Sequence, residues 1–491
     1  MQKLTKGIPH QIGTVKGLAQ APLHLHNMVA ELVDNSLAAT VSRNKIRVDL
    51  SNHADGGDLF VLRVWDTGPG IPIDKLESDV FTLGHPPKND SHLNEHGFGL
   101  KNVLAKSEQL TKLSWIFRTR DEIALKRGLF FQCQRPFGFE MPIISSPMSE
   151  WPVYASKETG TICEIVIPLS YLQSVAVERR GALPRDIGRI MDYLREHLGV
   201  FYRAYLEEGI RSNIQIVTSI NLENEDYVDP VYPDYKNKTN ISFEITLGGQ
   251  KTVVTGTVGL IDKESNQTKK RWYYYKHSPE SQGVDIRVGK RTVATRLVSQ
   301  IWQRDRHPSL NGIAGEFIIP GDKKLAPPTL NNKTSIDFDS EAWHAIVDGI
   351  QSQIKAEDLP HGGGKSESDL RDALFTQIKG ISKPHHIVEK EYDCNHGVFV
   401  DIYWDQSSSG GPIDIFEVKK GKAAPIDLYQ LVMYWDALIS INKIPSCGYL
   451  VCNGSSTGVN TLLQFIKTRK DAKGNFYNIE LADWKKHGIE P

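Results

Sequence analysis

Glu31 and Asn35 stand four residues apart in a stretch with apolar residues at helical spacing, which sets both side chains on neighbouring positions of one helix face. A carboxylate there can orient and deprotonate a water, and the amide oxygen beside it can ligate magnesium. The two roles belong together in phosphoryl transfer. Asp66 follows a strand-like run and precedes Gly68 and Gly70, so an adenine could approach bare backbone while the carboxylate accepts its exocyclic amine. Gly97 and Gly99 precede a helix that carries Lys101; amides unshielded by side chains at a helix start, aided by the dipole and a lysine, suit a triphosphate. Far along the chain, Glu417 and Lys419 are two apart in a strand-like run, so both leave one face while Phe416 and Val418 leave the other. With Asp401 from the preceding strand, the two carboxylates can hold magnesium, which activates a water and offsets charge on a phosphodiester while Lys419 positions or polarises that water. Asp414, on the same strand as Glu417, is the rival for the first carboxylate.

These residues need elements to carry them. The sequence predicts an amphipathic helix over 24–43, in which Met28, Val29, Leu32, Val33 and Leu37 recur at helical spacing. Two strands follow, 45–52 and 58–66, joined by the turn-rich HADGG. Residues 84–99 are rich in Gly, Pro, Asn and Asp and read as a mobile loop over the site, with helix resuming at Leu100. Strand-rich sequence runs through 160–168, and a helical stretch from Asp186 to Leu206 opens a second segment with strands near 213–219, 241–247, 252–260 and 283–289. That segment closes on a helix over 341–354. Pro360 and three consecutive glycines then interrupt all periodicity. Beyond them the order is helix, three strands, helix, strand, helix.

Composition sets outer bounds. At 491 residues the chain exceeds one hydrophobic core, and 40% hydrophobic with 24% charged residues is ordinary for a globular protein. No apolar run reaches the roughly 20 residues of a membrane span, and the first residues lack a secretory signal, so the expected address is the cytoplasm. Five scattered cysteines show no zinc-ligand spacing. The pairs His92/His96 and His385/His386 lack a third ligand in register. The formal net charge of −1 excludes a protein coated in positive charge but permits a local basic surface; KKRWYYYKH (269–277), equally readable as a phosphate and base-stacking surface or as a hairpin with a packed tyrosine face, and KKGK (419–422) are the candidates.

ELVDNSLAA (31–39), DTGPG (66–70), GFGLKN (97–102) and GT (160–161) together resemble the four boxes of the GHKL ATPases, the superfamily of gyrases, chaperones, histidine kinases and MutL. The resemblance implies an ATP-binding sandwich with Glu31 as catalytic base, Asn35 as magnesium ligand, and Asp66, Gly68, Gly70, Gly97, Gly99, Leu100, Lys101 and Thr161 around the nucleotide. Thr161 is similar to the family residue that supports the adenine contact through water. Many members carry an aspartate where this chain has Ala38, a departure that bears on nucleotide affinity. Residues 283–293, 312–320 and 328–338 are similar to the S5-like transducer domain of the MORC branch. There the resemblance implies that Lys333 reaches the terminal phosphate of ATP, and that ATP dimerises the N-terminal domains with residues 1–20 exchanged as a strap.

Glu367 at a helix head, Asp401, then Glu417 with Lys419, then Gln430 and Tyr434 on one helix fall in the order of a PD-(D/E)XK nuclease domain of the restriction-endonuclease-like α/β type. Gln430 and Tyr434 resemble its accessory motif. The expected organisation is therefore an α/β (α+β) chain: a GHKL ATPase sandwich (1–175), a transducer (176–354), a linker (355–366) and a nuclease-like domain (367–491). The expected cofactors are ATP and Mg2+. Expected partners are nucleic acid, double-stranded DNA first, a second copy of the chain in the presence of ATP, and an activator of unidentified kind; no membrane is expected. The competing expectations are a non-cleaving ATP-gated clamp and a chaperone-like scaffold ATPase.

Overall fold

The computed structural model describes residues 11–20, 22–39, 43–82, 97–111, 113, 115–135, 137, 141–155, 158–176, 182–212, 214–247, 249–306, 310–321, 327–328, 336–355, 359, 367–395 and 397–489. The expected loop up to residue 96, His92, His96, Lys333 and residues 1–10 of the expected strap lie outside them. The chain forms two compact units, Met1–Gly362 and Gly363–Pro491.

In the first unit, α1 (Gln11–Ala19) precedes α2 (Leu25–Ala38). The apolar positions read from sequence explain α2: Leu25, Met28, Val29, Leu32, Val33 and Leu37 are all buried. β1 (Asn44–Asn52) and β2 (Leu59–Trp65) pair antiparallel, Val48 opposite Val64. After α3 (Gly99–Leu110) come β3 (Trp115–Arg120), β4 (Leu129–Gln134), β5 (Ile144–Pro147) and β6 (Gly160–Pro168). Helices α4 (Ile187–Phe201) and α5 (Arg203–Ser212) lead into β7 (Ile214–Ile220) and β8 (Glu223–Tyr227). The eight strands form one sheet, β5-β4-β3-β6-β2-β1-β7-β8. The strand near 213–219, read from sequence with the second segment, instead runs parallel to β1 in this first sheet. A parallel neighbour needs a helical crossover, and α4 and α5 supply it.

A second sheet, β12-β11-β13-β10-β9, is built from β9 (Tyr235–Leu247), β10 (Gln250–Ile261), β11 (Gly283–Val288), β12 (Arg291–Leu297) and β13 (Ile313–Ile319). Helix α6 (Glu341–Gln353), capped by the Ser340 hydroxyl on the Trp343 amide, buries Trp343, Ile346 and Ile350 against it.

The stretch 269–277 is not a base-stacking surface. Tyr273, Tyr274 and Tyr275 are buried in the main core, and the Glu196 carboxylate accepts the amides of Trp272, Tyr273 and Tyr274 at 2.7, 2.9 and 2.5 Å. Three consecutive aromatics pack here because the chain leaves regular strand geometry, with Tyr275 at a φ of 53°.

The second unit opens with α7 (Glu367–Ile381) and continues with β14 (Ile387–Asp393), β15 (Phe399–Asp405), β16 (Ile413–Val418), α8 (Pro425–Ser440), β17 (Cys447–Cys452), α9 (Thr457–Lys467) and β18 (Ile479–Asp483). The strands lie in sequence order, β14 to β16 antiparallel and β16 to β18 parallel. Alternation along β16 sends Ile415 into a core with α8 and sends Phe416 and Val418 into a core with α7 and Trp484. No helix among the described residues is long and apolar enough to cross a membrane, and all five cysteines are buried free thiols.

Candidate functional sites

In the first unit α2 carries Glu31, buried to 1% exposure, and Asn35, half-buried, one turn apart. The Glu31 carboxylate rests on the first turn of α3: a methyl group on Gly99 would stand 2.1 Å from Glu31 Oε2. A side chain at 99 would therefore displace the proposed base. Gly97 has a φ of 63°, which favours glycine, and the Lys101 ammonium donates to its carbonyl at 2.5 Å. Burial pulls Lys101 down to about 8. Leu100 is half-buried at the same helix start.

Asp66 is held from three sides. Its amide donates to the Thr161 carbonyl at 3.0 Å, Gly68 N donates to Oδ1 at 2.8 Å, and the Ser36 hydroxyl donates to Oδ2 at 2.8 Å. Burial raises its carboxyl above the usual range in spite of these bonds. A carboxylate has about four lone-pair positions, so capacity remains for an exocyclic amine. Gly70 has a φ of 70° and lies on β3: an added methyl would meet the Arg120 carbonyl at 2.1 Å. The Thr161 hydroxyl is 3.3 Å from that of Thr119, which accepts the Ile71 amide at 2.8 Å. The structure thus brings Glu31, Asn35, Asp66, Gly68, Gly70, Gly97, Gly99, Leu100, Lys101 and Thr161 onto four neighbouring elements.

Sequence reasoning missed Ser36 and Asn44. Asn44 Nδ2 donates to the Ser36 carbonyl at 3.1 Å while its Oδ1 accepts the Thr67 amide at 3.1 Å, so it pins the end of α2 to the Asp66 turn. Ser36 was findable as the hydroxyl next to Asn35; Asn44 had no local signal. Asp34 was missed too. Its carboxylate receives Arg291 Nε at 3.0 Å and lies 2.8 Å from the Tyr202 hydroxyl, which ties the nucleotide helix to the second sheet.

In the second unit Asp401 and Glu417 lie on adjacent antiparallel strands just beyond the paired residues Ile402 and Phe416. Glu417 is buried to 2% exposure. Lys419 Nζ sits 2.7 Å from Glu417 Oε1 and 3.7 Å from Glu367 Oε1. Burial, together with the charge of Asp401, pushes the Glu417 carboxyl up to about 7, against the opposing pull of Lys419 and a hydrogen bond from Tyr434. Glu417 Oε2 is buried and makes no hydrogen bond among the described residues. Asp401 accepts the Val418 amide at 2.9 Å and Arg371 at 3.3 Å. Glu367 accepts the Lys420 amide at 3.0 Å.

Tyr434 reaches this cluster because α8 begins cleanly, with Pro425 at its first turn and the Asp427 carboxylate accepting the Ala424 amide at 2.7 Å. Gln430 lies one turn earlier, half-buried. Asp414 leaves the strand on the face opposite Glu417. Arg371 was missed by sequence reasoning, although it stands one helical turn after Glu367. His385 and His386 pack edge to face at 4.9 Å, with His386 Nε2 3.0 Å from the Ser409 hydroxyl. Among the described residues no group of three or more His, Cys, Asp or Glu is arranged as a metal centre. Magnesium commonly takes only one or two protein carboxylates and keeps its waters, and an orphaned buried oxygen beside a second carboxylate fits that habit.

Residues 20–169 match the family model described as "Histidine kinase-, DNA gyrase B-, and HSP90-like ATPase", so the N-terminal segment is an ATPase domain of the GHKL type, and ATP binding follows from it. A stretch of 80 residues is 36% identical to the "Sensor protein CitS" of Bacillus subtilis (strain 168), covering 16% of this chain. The chain spans 14% of that relative's length. Among solved structures, the B-subunit of the DNA gyrase from Myxococcus xanthus is 11% identical, with 70% of this chain and 95% of that one covered at a TM-score of 0.37. The N-terminal domain of a DNA repair protein is also 11% identical, with 70% and 96% covered at a TM-score of 0.40.

Proposed function

We propose that this chain binds and hydrolyses ATP in its N-terminal domain and cuts nucleic acid, double-stranded DNA in the first instance, with a magnesium-dependent C-terminal unit under ATP control. The observation that carries the second half is Glu417: a buried carboxylate with one oxygen on Lys419, the other without a hydrogen bond, beside Asp401.

In the ATPase domain Asp66 would take the adenine amine, the amides around Gly97 and Gly99 would receive phosphate oxygens, and Glu31 would accept the proton of the attacking water. Asn35 would share magnesium with the nucleotide. Lys333 would sense the terminal phosphate as the transducer resemblance implies, closing an ATP-dependent homodimer.

In the second unit Asp401 and Glu417 would hold magnesium, which when bound supplies a polarised phosphodiester and an acidified water. Lys419, 2.7 Å from Glu417 Oε1, opposes the protonation that burial and Asp401 favour and would position or polarise the water. Tyr434 fixes the same carboxylate from α8, and Glu367 keeps Lys419 from turning away. A cytoplasmic role in defence against foreign DNA, released by an activator, is consistent with a cutter joined to an ATP gate, because ATP alone is always present.

The test is incubation of the full chain with linear and supercoiled DNA and magnesium, with and without ATP, beside Lys419→Ala. Cutting lost in the variant supports the nuclease; equal cutting by both removes it. A second reading, a non-cleaving ATP-gated clamp, is favoured by the Val418 amide and Arg371 already occupying Asp401. It would show as ATP-dependent retention of DNA without cleavage.

A further inference from the structure

Between the N-terminal end of α2 and β12 lies a cavity of about 310 Å3, at the lower bound of roughly 300 Å3 usual for small-molecule sites. None of the ATP-site residues described above lines it. Its walls include His24, His26, Arg291, Arg296, Arg306 and Gln300, and no aspartate or glutamate is among the lining residues. A concave, partly enclosed site walled by three arginines without carboxylates concentrates positive potential.

Arg291, Arg296 and His26 are held in place, while Arg306 is exposed at the rim. Arg291 is fixed from behind by Asp34 and lies over the rings of Phe201 and Tyr202, 4.7 Å from each. Arg296 donates to the Glu280 carbonyl at 3.1 Å and lies 4.6 Å over the Tyr273 ring. His26 is stacked flat on His197 at 3.9 Å and 3°. The nitrogens of His197 meet the Tyr274 hydroxyl at 2.9 Å and the Val175 carbonyl at 2.8 Å. His26 Nδ1 is buried with no hydrogen-bond partner among the described residues. The 14-residue α2 begins at Leu25 with no cap from the His24 side chain, the Ser174 hydroxyl accepting only the Leu25 amide at 2.9 Å, so the positive end of its dipole adds to the same field. His26 reports that field: burial first, then His197, His24, Arg296 and Arg291, hold its proton affinity well below normal.

We propose that this cavity is a second anion site, taking a small phosphate-bearing ligand whose oxygens meet Arg296, Arg306 and His26. Arginine forks and a histidine donor match phosphate oxygens, and the ligand's charge would relieve the cost of gathering cations here. The site is separate from the one that takes the triphosphate of ATP.

The test is calorimetric titration of the full chain with inorganic pyrophosphate in chelator, alone and after saturation with a non-hydrolysable ATP analogue, beside Arg306→Glu and Arg296→Gln. Arg306 is exposed, so its variant keeps the fold; analogue binding by each variant verifies that. Pyrophosphate should bind the analogue-saturated chain, and Arg306→Glu should weaken it at least tenfold. Absence of binding overturns the proposal. So does binding abolished by the analogue, which would assign the anion to the ATP site, or binding unchanged in both variants, which would place it elsewhere.

Discussion

Arg291 Nε and the Asp34 carboxylate are 3.0 Å apart although 257 residues separate them in sequence. Both side chains are buried, at 7% and 2% exposure, and Tyr202 brings its hydroxyl to the same oxygen. Asp34 immediately precedes Asn35, so a residue of the second sheet grips the helix that carries the proposed catalytic pair, Glu31 and Asn35. Burial opposes the Arg291 charge, but Asp34 outweighs it and holds the guanidinium more firmly charged than usual.

Breaking this pair from one side leaves a buried charge without its partner, which costs about 3–5 kcal/mol. Arg291→Met should therefore lower the denaturant midpoint of the first unit and slow ATP turnover. Asp34→Leu combined with Arg291→Met should recover much of the loss, because no charge is then stranded. A double-mutant cycle in denaturant decides the matter; additive losses would show that the two residues act independently.

Gly99 makes the geometry of Glu31 testable without touching its carboxylate. A methyl at 99 would stand 2.1 Å from Glu31 Oε2, and displacement of a catalytic group by about 1 Å can cost roughly a hundredfold in rate. Gly99→Ala should cut phosphate release by about that factor, while Glu31→Ala binds ATP without turning it over. The double variant should be no slower than Glu31→Ala alone; a further loss would mean that Gly99 acts through the phosphates instead.

The legible parts of this chain were its local ones. The α2 periodicity, the β1–β2 hairpin and the glycines before α3 are set by residues within a few positions of one another. So was the Glu417–Lys419 pair, since alternation along one strand is enough to place both on one face. What sequence reasoning missed arises from pairings between distant segments. The parallel docking of β7 on β1 joins residues 170 positions apart, and Arg291 has no local feature that distinguishes it from a surface arginine. The tyrosines of 273–275 stayed open between two readings for a related reason: alternating basic and aromatic residues suit a solvent-facing surface as well as a packed one, and only Glu196, on a separate helix, shows how that backbone is satisfied inside the core.

As the proposed magnesium ligand, Glu417 ties metal binding to pH. Its carboxyl stands at about 7, and a protonated carboxyl is a poor ligand, so a binding ion must displace the proton. Between pH 6 and pH 8 the ionised fraction rises roughly tenfold, and the magnesium affinity of the full chain should rise by about the same factor and then level off. Glu417→Gln should remove both the dependence and the binding, and Glu417→Ala should abolish cutting while sparing ATPase. A pH-independent affinity in calorimetry would show that Glu417 is not the ligand.

Asp414 carries the opposite lesson, a carboxylate the fold would be more stable without. Burial pushes its carboxyl from 3.8 up to about 6, and it leaves β16 on the face away from Glu417, in register with Trp404 and Cys447. The folded state therefore binds its proton more tightly than the unfolded chain does. Protonation favours folding, so the penalty is absent below about pH 4, grows between pH 4 and 6, and is complete above pH 6. At about 1.4 kcal/mol per pH unit the full penalty is on the order of 3 kcal/mol. Asp414→Asn should therefore raise the denaturant midpoint of the second unit at pH 7.5 and change little at pH 4, with DNA cutting retained at both. Equal effects at the two pH values would mean that the gain comes from packing of the amide, and loss of cutting would return Asp414 to the list of candidate magnesium ligands.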